Sequence, residues 1–249
     1  MGFFSSKSVG SKCYVFYSVE YDRKMTKELY SYLLDFFGKM KIDFKFGCFY
    51  DETYSDRYGR REKIRAEMDA RRWNEIAHFA LDDEDMRKSE RKVAIEFNIS
   101  RVFLITVVLN NDISFAFNEF LSGLDPLFKV AYGFSYGTSG GEWATAYANG
   151  DWQHTKQVPD VTRTSKEALQ QWNEKSEAVR FGLMRDVYLE NVLSKVHLLF
   201  PLNEQTLEEY IQKNKGELIK AGENAFIWNI EKSSLGSIRE DLYKSGIII

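Results

Sequence analysis

The sequence predicts an α+β fold, in which helices pack against a mixed but mostly antiparallel sheet or sheets. Two observations support this. Apolar residues make up 44% of the 249 residues, and they recur with a period of two in some runs and with helical spacing in others. A chain of this length can bury about 70% of its surface, so it needs no disulfide. We expect one domain over residues 1–249, with a possible sub-division in the polar stretch 151–165. Two related α/β halves are a further possibility.

The N-terminal part predicts a strand, a helix and a second strand. Cys13, Val15 and Tyr17 alternate with further apolar residues, which indicates a strand covered on both faces. An apolar stripe over residues 25–37 predicts a helix that ends at Gly38. Alternation returns over residues 42–50 and predicts the second strand.

The stretch 51–72 is the most charged part of the chain. Acidic and basic residues alternate there at helical spacing, which favours a solvated helix face over a phosphate-binding surface. Strands are expected over residues 93–99 and 102–109. A helix is expected from a cap at Asp112 to Leu124, ended by Gly123 and Pro126, and a strand over 128–136.

The C-terminal part predicts a loop-like segment over 137–150 and then four elements. Helices are expected over 166–176 and 206–213, and a hairpin over 217–220 and 225–231 that turns at Gly222. A last amphipathic helix follows, with Leu235, Ile238 and Leu242 on one stripe and Gly246 as its stop.

Charge and hydropathy exclude several classes of protein. Residues 1–125 carry 20 basic and 21 acidic groups, and residues 126–249 carry 14 and 16. Neither part has the basic surplus of a nucleic-acid binder, so no nucleic-acid partner is expected. The longest apolar run, 102–109, is too short to span a bilayer, and no signal peptide precedes it. We therefore expect a cytoplasmic protein without a membrane span.

Motifs that carry chemistry are absent from the sequence. It contains no phosphate-binding glycine loop, nucleophile elbow or metal-ligand spacing. Cys13 and Cys48 lie among aromatic residues, which predicts core thiols and argues against a Cys–His nucleophile pair. His197 lies in an apolar run and is expected to be a partly buried, hydrogen-bonded residue. We therefore predict no enzyme, no cofactor and no metal site.

Two groups of residues are candidates for binding a partner. The first group is the acidic run of residues 82–85. One interpretation of this run is an acidic patch that faces a partner, and the alternatives are a solvated turn and a divalent-cation site. Loop aromatics are the second, since they supply large contact area at low entropic cost, although they could equally seal the edge of the core. The candidates are Asp82, Asp83, Glu84, Asp85, Tyr50, Tyr54, Trp143 and Tyr147.

Three groups of short motifs lie mainly within residues 127–249. The first is Tyr132-Gly133-Phe134-Ser135-Tyr136 with Tyr147-Ala148-Asn149-Gly150. The second is Arg185-Asp186-Val187-Tyr188 with Asn191-Val192-Leu193-Ser194 and His197-Leu198. The third is Leu207-Glu208-Glu209-Tyr210-Ile211 with Trp228, Ile230 and the closing stretch 238–247. On these motifs the chain resembles bacterial immunity proteins of type VI secretion and other polymorphic toxin systems. It departs from the expected pattern at Leu189-Glu190, where a proline-containing turn would be expected.

The resemblance implies a cytoplasmic antitoxin that binds a cognate secreted toxin and occludes its active site. The partner would then be a protein toxin, and a homodimer is possible. Within this interpretation, a set of buried polar residues is expected to be structural framework: Arg185, Asp186, Tyr188, Asn191 and His197. The alternatives are a metal-dependent hydrolase that uses the run 82–85 or His197, and an adaptor or structural protein of a phage or secretion apparatus.

Overall fold

The computed structural model describes residues 10–51, 57–84, 92–99, 101–138, 144–153, 155 and 165–249. The described strands are β1 (Ser11–Ser18), β2 (Phe46–Asp51), β3 (Arg57–Arg60), β4 (Ile76–Asp82), β5 (Val93–Ile99), β6 (Phe103–Asn110), β7 (Tyr132–Thr138), β8 (Glu190–Ser194), β9 (Pro201–Leu202), β10 (Gln205–Thr206), β11 (Glu217–Lys220) and β12 (Ala225–Asn229). The described helices are α1 (Thr26–Lys39), α2 (Arg61–Asp69), α3 (Phe117–Phe128), α4 (Lys166–Lys175), α5 (Lys195–Leu198), α6 (Leu207–Gln212) and α7 (Leu235–Lys244). Short 3-10 turns lie at Arg23–Met25, Trp73–Glu75 and Ser176–Phe181.

A single large sheet joins strands from both ends of the described chain. Ten strands follow the order β11-β12-β8-β7-β1-β6-β5-β4-β2-β3, and every neighbouring pair in it is antiparallel. A separate two-stranded ladder joins β9 and β10. The predicted α+β class with a mostly antiparallel sheet is therefore confirmed.

The inner strand β1 explains why its sequence is apolar on both faces. Val15 pairs with Thr106 of β6 on one side and with Phe134 of β7 on the other. All but one of the eight residues of β1 are buried. A strand with neighbours on both edges and cores on both faces has no solvated side, so polar alternation is lost.

Two hydrophobic cores lie on opposite faces of the sheet. Phe16, Phe79 and Phe97 belong to one core, which α1, α2 and α3 cover. Val15 and Phe134 belong to the other core, which α4, α6 and α7 cover. The arrangement is a three-layered one, with helices above and below the sheet.

The helix predicted from Asp112 to Leu124 lies four or five residues further along the chain. α3 begins at Phe117 and ends at Phe128, and its C-cap Lys129 adopts a left-handed conformation with φ of 53°. The expected stop at Gly123 and Pro126 is wrong. Pro126 lies inside α3, and the helix continues because Phe128 and neighbouring apolar residues bury their side chains in the core. Packing therefore outweighs the hydrogen bond that proline cannot donate.

The charged stretch forms an edge strand followed by a short helix. Tyr58 of β3 stacks on Phe46 of β2 with ring centroids 6.1 Å apart, which favours strand pairing at the start of the stretch. On α2, Arg65 pairs with Asp69 at 2.9 Å. The basic groups of this surface thus have acidic neighbours, as in the solvated-face interpretation.

Candidate functional site

The acidic run predicted to face a partner is used within the fold. Asp82 is 2% exposed at the end of β4, so it is not a surface carboxylate. The Asp83 carboxylate accepts the backbone N–H groups of Lys92 and Val93 at 3.0 and 3.1 Å, and Glu84 pairs with Lys45 at 2.8 Å. The expectation of a partner-facing acidic patch is therefore wrong for Asp82. Asp83 and Glu84 already have intramolecular partners, and Asp85 lies outside the described residues.

The predicted aromatic anchors divide into three cases. Tyr147 is completely buried, and its hydroxyl lies 2.7 Å from that of Tyr188, so its assignment as an accessible anchor is wrong. Tyr50 is half-buried on β2, where its ring stacks on His78 at 4.5 Å between ring centroids. Tyr54 and Trp143 lie outside the described residues.

A buried arginine lies at the centre of the second core. Arg185 is 3% exposed, and its guanidinium lies 3.8 Å from the centroid of the Tyr147 ring. It donates a hydrogen bond of 2.8 Å to the Tyr147 carbonyl oxygen. Cation–π contact and a charge-assisted hydrogen bond together offset part of the cost of burying this charge. Arg185 thereby fixes the 144–150 turn against the sheet.

The residues that follow Arg185 order a segment without regular structure. Asp186 is fully buried and pairs with Arg239 of α7 at 2.7 Å. The Asn191 side chain accepts from the Tyr188 backbone N–H at 3.0 Å and donates to the Tyr188 carbonyl at 2.7 Å. These side-chain-to-backbone bonds take the place of a helix or strand ladder over the segment.

His197 ties α5 to the segment that precedes it. Its Nδ1 accepts from the backbone N–H of Ser194 at 3.4 Å, so Nε2 carries the hydrogen and donates to the Leu183 carbonyl oxygen at 3.2 Å. The ring is completely buried, and burial lowers the pKa of His197 to about 4. His197 is therefore neutral at neutral pH with both ring nitrogens bonded, so the prediction of a hydrogen-bonded histidine is confirmed, although the residue is fully buried and not partly so.

Large apolar side chains are exposed on α5 and beside it. Leu199 is 67% exposed and Val196 of α5 is 47% exposed, while Phe181, which ends the neighbouring 3-10 turn, is 69% exposed. The backbone of the turn touches α5, since a Cβ added to Gly182 would lie 2.9 Å from the Val196 carbonyl oxygen. We call Phe181, Val196 and Leu199 the α5 patch. Sequence reasoning missed it, because these residues lie within runs that read as core.

An open depression of about 380 Å³ adjoins the α5 patch and shares Val196 with it. Apolar side chains from the β1 end, the start of β7 and the 3-10 turn form much of its wall, and charged side chains are interspersed among them. Its lining includes Val19, Val130, Val179, Glu20, Lys129 and Arg180. An exposed apolar patch beside a depression of mixed polarity has the composition of a protein-binding surface.

A second cluster of reactive side chains lies on the sheet, away from the α5 patch. The Cys48 Sγ is 3.6 Å from the His78 Nε2, and the His78 Nδ1 is 3.9 Å from the Glu96 carboxylate. Cys48 is half-buried, so the prediction of a core thiol is confirmed for Cys13 and wrong for Cys48. A signal was present in the sequence, because each of the three polar residues directly precedes a core phenylalanine: Phe49, Phe79 and Phe97.

The described residues contain neither a candidate metal site nor a helix that could span a membrane. Over those residues, no group of three or more His, Cys, Asp or Glu side chains has the arrangement of a metal site. Over the same ranges, every helix falls short of the length and apolar character that crossing a bilayer requires.

Comparison with known proteins gives a structural neighbour and no family. No family model matches the chain, and no curated protein matches it. The fold is similar to that of a solved structure described as the Pseudomonas aeruginosa T6SS protein PA0821, with a TM-score of 0.60 and 10% sequence identity. The match covers 96% of this chain and 73% of that one. The likeness establishes that this α+β architecture occurs in a protein of a type VI secretion system.

Proposed function

We propose that this chain is an immunity protein, which binds a cognate protein toxin through the α5 patch and the adjoining depression and so occludes the toxin's active site. The observation that carries the proposal is the exposure of Phe181 and Leu199, each about two thirds accessible. Large exposed apolar side chains on neighbouring elements of a protein are typical of sites of protein interaction.

The α5 patch is held rigidly by the groups beneath it. His197 links α5 to Leu183, and the Gly182 backbone lies against Val196 and the Phe200 ring. A rigid surface loses little conformational entropy when a partner binds, so more of the interaction energy appears as affinity. The adjoining depression can accept an anchor side chain from the toxin, an arrangement that concentrates binding energy in few residues.

The type VI link of this proposal rests on the fold comparison together with the sequence resemblance. The structural neighbour is named as a T6SS protein and matches 96% of this chain. The motifs of residues 127–249 include Arg185, Asp186 and Asn191, which order the segment that leads to α5. Toxin binding and a cytoplasmic location belong to the same proposal.

Co-expression with candidate toxins, beginning with the products of genes that adjoin this chain's own, tests the proposal. The wild-type chain should protect the producing cells, and the double variant F181D/L199D should not. Burying two carboxylates in an apolar interface removes both anchors, and we expect binding to weaken by roughly a hundredfold or more. Pull-down of the purified pair measures the same loss directly.

The control variant is Y243D on α7, which changes a side chain of similar exposure, 64%, on another helix. It should protect as well as the wild type. Full protection by F181D/L199D, with the protein expressed and folded, would contradict the proposal. Size-exclusion chromatography distinguishes the case in which a second copy occupies the patch, because the double variant would then elute as a smaller species than the wild type.

A further inference from the structure

Three adjacent strands bring a thiol, an imidazole and a carboxylate together on one face of the sheet. Cys48 of β2 pairs across the ladder with Ala80 of β4, and Ala80 pairs with Glu96 of β5. His78 lies one pleat further along β4, diagonal to both Cys48 and Glu96. His78 itself has Tyr50 of β2 and Asn98 of β5 as its cross-strand partners.

Ala80 leaves space between the three polar side chains. It carries only a methyl group, and it is half-buried, so solvent contacts this row of the sheet. Cys48 is half-buried as well, so the residue that carries the thiol is in contact with solvent. The opposite face of these strands packs into the core, where Phe79 has Phe49 and Phe97 as its cross-strand partners.

The orientation of the His78 ring suits proton transfer from the thiol. The Nδ1 atom is buried, has no hydrogen-bond partner and lies 3.9 Å from the Glu96 carboxylate. A nearby carboxylate favours the tautomer with hydrogen on Nδ1, which leaves Nε2 as the acceptor for Cys48 at 3.6 Å. Tyr50 lies flat on the ring, with an interplanar angle of 1°, and prevents it from turning.

Burial lowers the pKa of His78 to about 4, so the ring is neutral at neutral pH and Nε2 offers its lone pair to the Cys48 thiol. The low pKa also makes the ring a weak base, which takes the proton only as the sulfur attacks. The ionisable groups that face it from the described strands are Cys48 and Tyr50 on β2 and Glu96 on β5, with Asp82 on the same face of β4. The Glu96 carboxylate stabilises the imidazolium that forms transiently.

We propose that Cys48, His78 and Glu96 form a thiol–disulfide exchange site that accepts small disulfides. The Cys48 sulfur attacks one sulfur of the disulfide and forms a mixed disulfide with it, while the bond between the two sulfurs of the small molecule breaks. The thiol proton passes to His78 Nε2 and then to the departing thiolate, which leaves as a thiol. The Cys48 sulfur is oxidised from the thiol to the disulfide level while the departing sulfur is reduced from the disulfide to the thiol level, so no other oxidant is required. Glu96 is a positioning residue.

The chain carries its own internal control for this reaction. Cys13 is 0% exposed, and burial raises the pKa of its thiol to about 12. It should not react while the protein is folded. Exchange with hydroxyethyl disulfide, a neutral probe, followed by peptide mass spectrometry, separates the modification of Cys48 from that of Cys13.

At neutral pH we expect Cys48 of the folded protein to react faster than Cys48 of the same chain unfolded in guanidinium, although it is half-buried. The variant H78Q should slow the folded reaction about threefold to tenfold, because the thiol loses its base. E96Q should move the pH–rate profile of Cys48 toward higher pH. Y243F, which changes an exposed tyrosine of α7 outside the site, should leave the rate unchanged.

Slower reaction of Cys48 in the folded wild-type protein than in the unfolded chain would overturn the proposal, and that comparison needs no variant. Equal rates for folded H78Q and wild type would overturn it as well. A faster folded wild-type reaction combined with a slower H78Q reaction supports it.

Discussion

His197 is the residue whose chemistry most directly links the sequence to the candidate binding surface. It is one of three histidines in the chain, and it lies in an apolar run that gives no sign of its partners. In the structure its two ring nitrogens hold Ser194 and Leu183 together beneath the α5 patch. A neutral ring can make both bonds, because one nitrogen accepts and the other donates.

Protonation of the buried histidines should destabilise the protein at mildly acidic pH. Burial lowers the pKa values of His78 and His197 from 6.5 to about 4. Between these values the unfolded chain binds protons that the folded chain does not, so stability is complete above about pH 6.5 and falls as the pH approaches 4. Each histidine should contribute on the order of 3 kcal/mol to this loss.

Urea unfolding across this pH range measures the loss. H197Q removes one titrating group, and we expect it to reduce the pH-dependent part of the histidine contribution by about half. The carboxylates are the same in both proteins, so they cancel in the comparison. Identical pH dependence for H197Q and wild type would show that His197 is not buried in the neutral form.

The burial of individual polar residues could be predicted from the sequence only in part. Arg185 and Asp186 lie between Met184 and Val187, and Asn191 precedes Val192, so their apolar neighbours indicate a core position, and all three are buried. Tyr147 lies in a glycine-containing stretch that reads as a loop, yet it is completely buried, because the cation of Arg185 lies over its ring. Contacts between residues 38 positions apart leave no local pattern.

Gly182 sets the geometry of the element that carries the α5 patch. It follows the 3-10 turn at Ser176–Phe181 with φ of 82°, a conformation that L side chains rarely adopt. An added Cβ would lie 2.9 Å from the Val196 carbonyl oxygen. The turn and α5 can therefore approach this closely only if the residue is glycine.

Gly182→Ala should destabilise the protein by roughly 1–3 kcal/mol, since the substitution combines backbone strain with a clash against α5. Chemical denaturation measures the change. Gly236→Ala is the matched control. Gly236 lies in α7 with no atom within 4 Å of an added Cβ, and the substitution should be neutral or stabilise by up to about 1 kcal/mol. Equal effects of the two substitutions would contradict the role given to Gly182.

The existence of most helices and strands could be predicted, and their limits less well. The hairpin of β11 and β12 and the final helix α7 follow the expected pattern closely. α3 differs because its apolar residues fit the core over Phe117–Phe128, despite Pro126. Local stop signals could not reveal a tertiary preference of this kind.

The arrangement of the whole sheet was beyond prediction. The sequence indicates strands, but the order that places β1 between β6 and β7, and β4 between β2 and β5, depends on long-range pairing. That pairing brings Cys48 and His78 together from positions 30 residues apart. It also separates the α5 patch from the acidic run, in which Glu84 pairs with Lys45 and Asp83 accepts hydrogen bonds from the backbone after residue 91. The candidate site therefore differs from the one that the sequence predicted.

Hydrogen–deuterium exchange of the chain with and without a toxin that it neutralises tests the central claim, which is that the toxin covers the α5 patch. We predict slower exchange on binding in residues 176–200, with little change in residues 76–84. Protection confined to the 76–84 strand and the acidic residues that end it, with 176–200 unchanged, would contradict the account.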